Sequence, residues 1–553
     1  MEKIGTTKEW IRSGEPFIWL NAGAVSLSIL MVAGLLLLIA VRGLSHFWPT
    51  SVMEFQYHEG DSVSRIMGEI RDEELVDADR AGVSKELADE DGKVKRYLVK
   101  TGNRDYLGLD FRWIVEADMD DEKYPAEIIV VERREWGNFY GYLTDIKVGG
   151  ESISHSGGLW PELIERIDES NKVFEKITHI EKHLIGTINY DIERLRLKKR
   201  GLELNEVDDP VPYQEIKLKR EQLQKKYDAL VEELSVLYEL LNKSSLSAVM
   251  ADGKQVDIPL AKIVRAYRPN SMNVFDKTGF YFTKLWEFVS EDPREANTEG
   301  GIFPAIFGTV LMVMIMAVMV TPFGVVAAVY LREYARQGLL TRLIRIAVNN
   351  LAGVPSVVYG VFGLGFFVYF MGSNIDKLFF PEALPTPTFG TPGLMWASLT
   401  LAILTVPVVI VATEEGLSRV PRSIREGSLA LGATKAETLW RTVLPMTASS
   451  MITGLILAVA RAAGEVAPLM LVGVVKLAPS LALDSNYPFL HLERKFMHLG
   501  FHIYDVGFQS PNVEAARPLV YATALLLVAI IIILNLTAIR IRNRLREKYS
   551  AAE

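Results

Sequence analysis

Long apolar runs alternate along this chain with stretches far too polar to be buried, and the alternation gives six runs and one large interruption. The first run, Phe17–Val41, is apolar apart from Asn21 and a few serines; its 25 residues exceed the roughly 20 needed to cross a bilayer as a helix. It predicts an anchor over 17–41, with a cytoplasmic N-terminus over 1–16 that carries Lys3, Lys8 and Arg12. Arg42-Gly-Leu-Ser-His offers no small-residue cleavage site, so the anchor reads as uncleaved. Five more runs predict spans at Phe303–Leu331, Ile346–Met371, Gly393–Thr413, Met446–Val475 and Pro518–Ile539, a membrane body over 301–540 with a tail over 541–553.

Between the first two spans, 42–300 forms an insert. Up to about Gly158 it alternates apolar and polar residues between turn signals, as in AEIIVVERREWGNFYGYLTDIKVGG, which predicts strands. From about Trp160 the period changes: Leu163, Ile167, Phe174, Ile177 and Leu184 recur at helical spacing. Past a bend holding Pro210 and Pro212, Leu223, Tyr227, Leu230, Leu234, Leu237 and Leu241 step by four and three. Two such helices joined by a short turn predict an antiparallel coiled-coil hairpin over about 160–243, on the order of 45 Å long. Ala248–Pro269 then reads as strands rejoining the first part. The fold class is an α-helical polytopic membrane protein of six spans carrying an inserted α+β domain.

Charge separates the two materials. The chain's net charge is −8, yet Arg42–Glu299 holds 37 Lys/Arg against 51 Asp/Glu, so the membrane body and its flanks are basic. The basic residues fall in alternate connections: Arg332, Arg336, Arg342 and Arg345, then Arg419, Arg422, Arg425, Lys435 and Arg441, then Arg540 to Arg546. By the positive-inside tendency these lie in the cytoplasm and the insert lies outside. An acidic insert offers no funnel for anions, so it is not assigned substrate capture. Cysteine is absent, which excludes disulfides and thiolate sites.

Two places carry candidate chemistry. Thr413–Pro445 is too polar to span and reads as two short helices, Arg422–Leu431 and Lys435–Val443, hinged at Gly432-Ala433-Thr434, with Pro445 starting the next span. Such a pair suits docking to a soluble partner. Inside span five, Arg461 and Glu465 stand four apart and so share a helix face. A charge at that depth costs roughly 2.5–3.5 kcal/mol unless it faces a polar interior, which predicts a pathway. Arg461 supplies a planar fork for a tetrahedral oxyanion, and Glu465 accepts a hydrogen bond from one that keeps a proton, as phosphate does. Pro322, Pro355, Pro407 and Pro468 fall one per span in spans two to five and predict kinks along a moving path. His491, His498 and His502 read as structural rather than metal-binding, and Lys198-Lys199-Arg200 as a solvated helix end.

The hinge stretch resembles the coupling loop of ABC-importer permeases, whose pattern is Glu-Ala-Ala, three residues, Gly, nine residues, Ile-x-Leu-Pro. Glu426, Gly432, Leu444 and Pro445 match at the full spacing, whereas Gly427, Ser428 and Thr442 depart from it. VTPFGVVAAVYLREYA, NNLAGVPSVVYGVFGLG and ARAAGEVAPLMLVG are similar to phosphate-importer permeases of the PstA type within the type I importers. The resemblance implies a heterodimer with a second permease, a pair of ATPases that bind ATP and magnesium, an external phosphate-binding protein, and Arg461 and Glu465 on the phosphate path. It also implies ATPase coupling through Glu426, Gly432, Ala433, Thr434, Leu444 and Pro445. The chain has no G-x-x-x-x-G-K-[ST] loop and no nucleophile–base set, so no catalytic residue, cofactor, metal or nucleic acid is expected of it. Competing readings are a permease for molybdate or sulfate, and a membrane-anchored sensor or scaffold.

Overall fold

The computed structural model describes residues 13–59, 62–81, 89, 91–152, 158–510 and 513–550; Lys3, Lys8, Arg12 and the last three residues lie outside them. Six helices among these are long and apolar enough to cross a membrane. The anchor α1 (Glu15–Ser45) leads through Phe47 and Trp48 into the insert.

Strands β1 (Met53–Glu59), β2 (Ser62–Asp77), β3 (Lys93–Lys100), β4 (Phe111–Val115) and β5 (Met119–Lys123) form one antiparallel sheet in the order β4-β3-β2-β1-β5. A second sheet contains β6 (Ile128–Arg133), β7 (Asn138–Val148), β8 (Glu151–Ser152), β9 (Ser244–Val249), β10 (Gln255–Pro259) and β11 (Ile263–Tyr267), ordered β10-β9-β7-β6-β11 with β8 on β7. Successive side chains of a strand point to opposite faces, and both faces of β6 are buried. Ile128 and Val130 meet Val52, just before β1, and Met67 of β2, while Ile129 and Val131 join Leu163 and Ile167 of the following helix. That explains why IIVV is an unbroken apolar run rather than an alternating one.

Between β8 and β9 the chain leaves the sheet as a helical hairpin. Helix α2 runs Leu159–His179, widens over Ile180–Ile185 and continues as Gly186–Leu204; α3 (Pro210–Leu241) returns, started by the Asp209 cap and Pro210. Ile177 and Ile180 pack on Leu234 and Leu241, with Leu230 and Leu237 beside them. Helix α4 (Val274–Ser290), begun by an Asn273–Asp276 capping box, connects the sheets to the membrane body.

The body comprises α5 (Phe303–Val329), α6 (Leu339–Leu351), α7 (Ser356–Phe362, continuing through Phe379), α8 (Leu394–Arg419), α9 (Arg422–Ala430), α10 (Lys435–Gly464) and, after the short helices Leu469–Val472 and Leu499–Tyr504, α11 (Val513–Ser550). Helix α8 is the axis, packed between α5 and α10. Close crossings need small residues: a Cβ on Gly324 would stand 2.5 Å from Val409 Cγ1, and one on Gly454 would stand 2.7 Å from the Ala412 Cβ. The anchor stays at the rim against α11.

The structure corrects four boundary expectations. Span three starts at Ser356 rather than Ile346, because Gly353-Val354-Pro355 breaks the helix; Leu339–Leu351 is a separate amphipathic piece. Pro355 is therefore the cap before span three, and Pro468 lies past the end of span five; only Pro322 and Pro407 of the four sit inside helices. Pro518 adds another helix-interior proline in α11. Span five is one helix from Lys435 to Gly464, so Lys435–Val443 is not separate and Pro445 does not start the span. Pro445 has no N–H for the carbonyl of Arg441 and its ring crowds that carbonyl, so the turn Leu439–Val443 widens, with Leu444 N–H donating to Leu439 O.

Candidate functional site

The hinge between α9 and α10 is built from local rules. Gly432 has φ +88°, the left-handed conformation that glycine takes without a Cβ penalty, and Ala433 N–H donates to Ser428 O to close α9. Thr434 then caps α10: Glu437 N–H donates to Thr434 Oγ1 at 3.3 Å, and Thr434 N–H donates to Glu437 Oε2 at 2.8 Å. The hydroxyls of Ser428 and Thr438 meet at 2.9 Å and tie the two arms together.

Polar ties fasten the pair to the body. Arg425 pairs with Glu333 at 2.9 Å and donates to the carbonyls of Val420 and Leu417 at 2.6 and 2.7 Å, closing the α8–α9 corner. Lys435 Nζ donates to the carbonyl of the same Glu333. Glu333 sits in the widened turn Tyr330–Tyr334 that ends α5, where Ala335 N–H reaches back to Tyr330 O. Arg345 of α6 adds a pair to Glu414 at 3.2 Å and a bond to Leu331 O. The ends of α5, α8 and α10 thus meet under the hinge, with the middle of α6 against them. The ties to Glu333 and Glu414 join residues 69 to 102 positions apart, so no local sequence pattern announces them.

The free surface mixes charged residues with large apolar ones. Leu431 is 91% exposed and Trp440 72% exposed, with Leu429 beside them. Glu426 is exposed and makes no ion pair among the described residues, Ala433 is half-buried and Leu444 is buried at the root of the pair. Single exposed apolar residues are ordinary, but a tryptophan and two leucines on a rigid polar-clamped elbow make an uncovered contact patch.

Arg461 and Glu465 are brought together differently from expectation. Arg461 occupies the last turn of α10, whereas Glu465 is beyond the helix, with φ −82° and ψ 131°. They do not share a helix face. The chain turns out of the helix and folds Glu465 back, placing its Oε1 3.7 Å from Arg461 Nε. Ala462 and Ala463 are fully buried in the central core, while both charged side chains stay partly exposed. After the break, Leu469–Val472 wedges against span three; a Cβ on Gly360 would stand 2.7 Å from Pro468 Cα. The helix therefore ends on a charged pair within the bundle, at a corner whose backbone is irregular. The signal for that corner was present in Gly464 and Pro468, which flank Glu465.

The three histidines do not gather into one cluster among the described residues. His491 is clasped by Asp484 and Glu493, each at 3.0 Å. Gly500 N–H donates to His498 Nδ1, and His502 lies against Thr523. Burial lowers the imidazoles of His498 and His502 to about 4. The insert touches this region: Tyr190 of α2 donates to Tyr487 O and its ring meets His491, while Arg194 lies over the Tyr487 ring.

Residues 320–548 match the family model described as a binding-protein-dependent transport system inner membrane component. Phosphate transport system permease protein PstA 1 of Mycobacterium tuberculosis is 33% identical over 244 residues, which cover 44% of this chain and 71% of that protein. PstA of Yersinia pestis is 31% identical over 256 residues, covering 45% and 75%. PstC of Xylella fastidiosa is 33% identical over 212 residues, covering 36% and 63%. The family match begins beyond the insert.

Proposed function

Because the chain belongs to the PstA family of phosphate-transport permeases, a multi-pass group of inner-membrane proteins, we propose that it turns ATPase motion into access for phosphate through the α9–α10 elbow. One observation carries this reading: the helix bearing the exposed elbow at Lys435 is the same unbroken helix that ends on Arg461. At about 1.5 Å per residue it is a lever on the order of 45 Å long, with a contact patch at one end and a charged corner at the other. Glu333 and Arg425 make the elbow move with α5 and α8, so a push on Leu431 and Trp440 shifts the ends of α5, α8 and α10 together. The basic connections put the elbow in the cytoplasm and the insert in the periplasm.

The ATPase pair that fits the elbow binds ATP and magnesium, a second permease completes the path, and a phosphate-binding protein delivers from outside. This chain catalyses no covalent step. At the corner, Arg461 offers its fork to phosphate, and Glu465 accepts a hydrogen bond from the proton that phosphate retains near neutrality and sulfate lacks. The hairpin leans on the Tyr487 loop of its own body and carries its tip beyond, where it reaches a partner permease or the binding protein.

Uptake by the complete transporter in vesicles, with sulfate and molybdate as competitors, tests this function. Glu465→Gln is expected to weaken phosphate uptake and its selectivity over sulfate; unchanged uptake and unchanged selectivity contradict the assignment.

A further inference from the structure

Helix α4 has two faces with different fates. Its inward face is committed to the insert: Lys284 pairs with Glu132, Arg265 with Glu287, and the Phe280 ring packs on Tyr267 at 4.6 Å. Its flank is committed to the membrane body. Tyr281 meets the rings of Phe47 and Trp48, Phe288 meets Phe47 at 5.0 Å, and both Phe47 and Trp48 directly follow the anchor. The C-terminal end is bonded to the start of span two, with Ile302 N–H on Phe288 O and Phe303 N–H on Glu291 O. The helix is therefore held at the level where two membrane spans emerge.

The remaining face is apolar and uncovered. Phe275, Phe282 and Trp286 recur at spacings of seven and four, which place them on one side of a helix, and they are 88%, 63% and 69% exposed. Gly279 lies between them on the same face. The hydroxyls bordering the stripe are all turned into the helix: Thr278 Oγ1 donates to Val274 O, Thr283 Oγ1 to Gly279 O, and Ser290 Oγ to Trp286 O. A helix facing water gains nothing from such back-bonding, whereas one facing hydrocarbon needs it. The charged residues of the helix are used elsewhere, Asp276 in the cap, Lys277 toward Ser51 Oγ, and Lys284 and Glu287 in ion pairs with the sheet.

We infer that α4 is an interfacial helix whose Phe275–Phe282–Trp286 stripe is seated in the headgroup–acyl boundary of the leaflet on the insert side. The occupant is lipid because the helix that carries the stripe is packed against the end of span one by Tyr281 and Phe288 and hydrogen-bonded to the start of span two, and because aromatic side chains favour that depth. The seat fixes the height of the insert above the bilayer, through the Lys284 and Arg265 pairs, independently of the hairpin.

The absence of cysteine makes the test clean. Single-cysteine variants Phe275→Cys, Gly279→Cys, Phe282→Cys and Trp286→Cys are spin-labelled in the assembled transporter, reconstituted in phosphatidylethanolamine–phosphatidylglycerol vesicles. A Cβ on Gly279 would meet no atom within 4 Å, so its variant leaves the packing untouched even where replacing an aromatic disturbs it. Collision rates with oxygen, which partitions into lipid, and with a polar nickel chelate are compared with Lys226→Cys on the hairpin. The expected result is an excess of oxygen over chelate collisions at the four stripe positions and the reverse at Lys226. Chelate collisions at Lys226 levels along the stripe overturn the proposal in favour of a water-facing surface. Suppression of both probes overturns it in favour of a covering protein.

Discussion

Two helix pairs stand apart from the membrane spans, the hairpin on the insert's second sheet and the elbow between spans four and five, and they are finished in opposite ways. The hairpin α2–α3 buries its own apolar stripe, Ile177 and Ile180 against Leu234 and Leu241, and covers the outside with charges paired along the helix, such as Lys172 with Asp168 and Arg196 with Glu193. The α9–α10 elbow does the reverse. Its Arg425 is spent inward on Glu333, Val420 and Leu417, while Leu431 and Trp440 are left outside among exposed charges such as Glu426 and Arg441. The elbow is thus fixed to the body by long-range polar ties, whereas the hairpin is held together by a seam of its own. The same contrast holds for continuity. The elbow runs without interruption into the span that ends on Arg461, whereas the hairpin rests on the body from the side, at the Tyr487 loop and beside Pro381–Ala383, with Lys182 paired to Asp292.

The largest effect is expected where the elbow lacks its partner. Replacing both Leu431 and Trp440 with Asp removes two anchors of roughly 2 kcal/mol each and should lower ATPase retention, read by co-purification, by at least about 100-fold. Val236→Asp on the exposed outside of the hairpin should leave the same readout unchanged. Equal losses from the two would break the contrast.

Next comes the clamp. Arg425→Ala strands the carboxylate of Glu333 and should cost about 2 kcal/mol locally, reducing uptake more than ATPase retention. A charge exchange, Arg425→Glu with Glu333→Arg, should recover part of the uptake if the pair acts as a clamp.

Much of the body was legible because a bilayer demands about twenty apolar residues in a row, and because Glu426, Gly432, Leu444 and Pro445 keep a fixed spacing. What failed to show was how helices end. Hydropathy carries Met446–Val475 through as one run, but Gly464 and Pro468 stop the helix and swing Glu465 back onto Arg461 from outside it. Likewise Ile346–Leu351 is apolar enough to merge with span three until Gly353 and Pro355 separate them. The clamp at Glu333 joins residues 92 apart, and such a tertiary pair leaves no trace in local periodicity.

A smaller effect is expected at the hairpin's resting point. Tyr190→Phe deletes the bond to Tyr487 O and should cost about 1 kcal/mol, raising severalfold the binding-protein concentration needed for half-maximal uptake without changing ATPase retention. No change in that concentration would leave the hairpin without a role in docking.

The smallest effect near neutrality concerns acid. His498 and His502 are held neutral to about 4 by burial, whereas an unfolded histidine protonates near 6.5. Their contribution is full above 6.5 and is lost as pH falls toward 4, by less than about 1 kcal/mol each at pH 6. Burial opposes the charge of Glu132, but Lys284, Arg294 and Arg265 outweigh it and hold its carboxyl at about 2. Its contribution therefore persists until pH falls from about 4.5 toward 2. Hydrogen exchange should loosen Leu499–Tyr504 before Ile128–Arg133 as pH is lowered; the opposite order contradicts these assignments.

The most direct test is the ratio of phosphate imported to ATP hydrolysed by the reconstituted transporter carrying Gly432→Val. A β-branched residue at φ +88° strains the elbow by about 1–2 kcal/mol while a Cβ there meets no neighbour, so the ATPases remain attached. The account predicts continued hydrolysis with a sharply reduced import per ATP. Import per ATP equal to that of the unaltered transporter would show that force does not enter the membrane through this elbow.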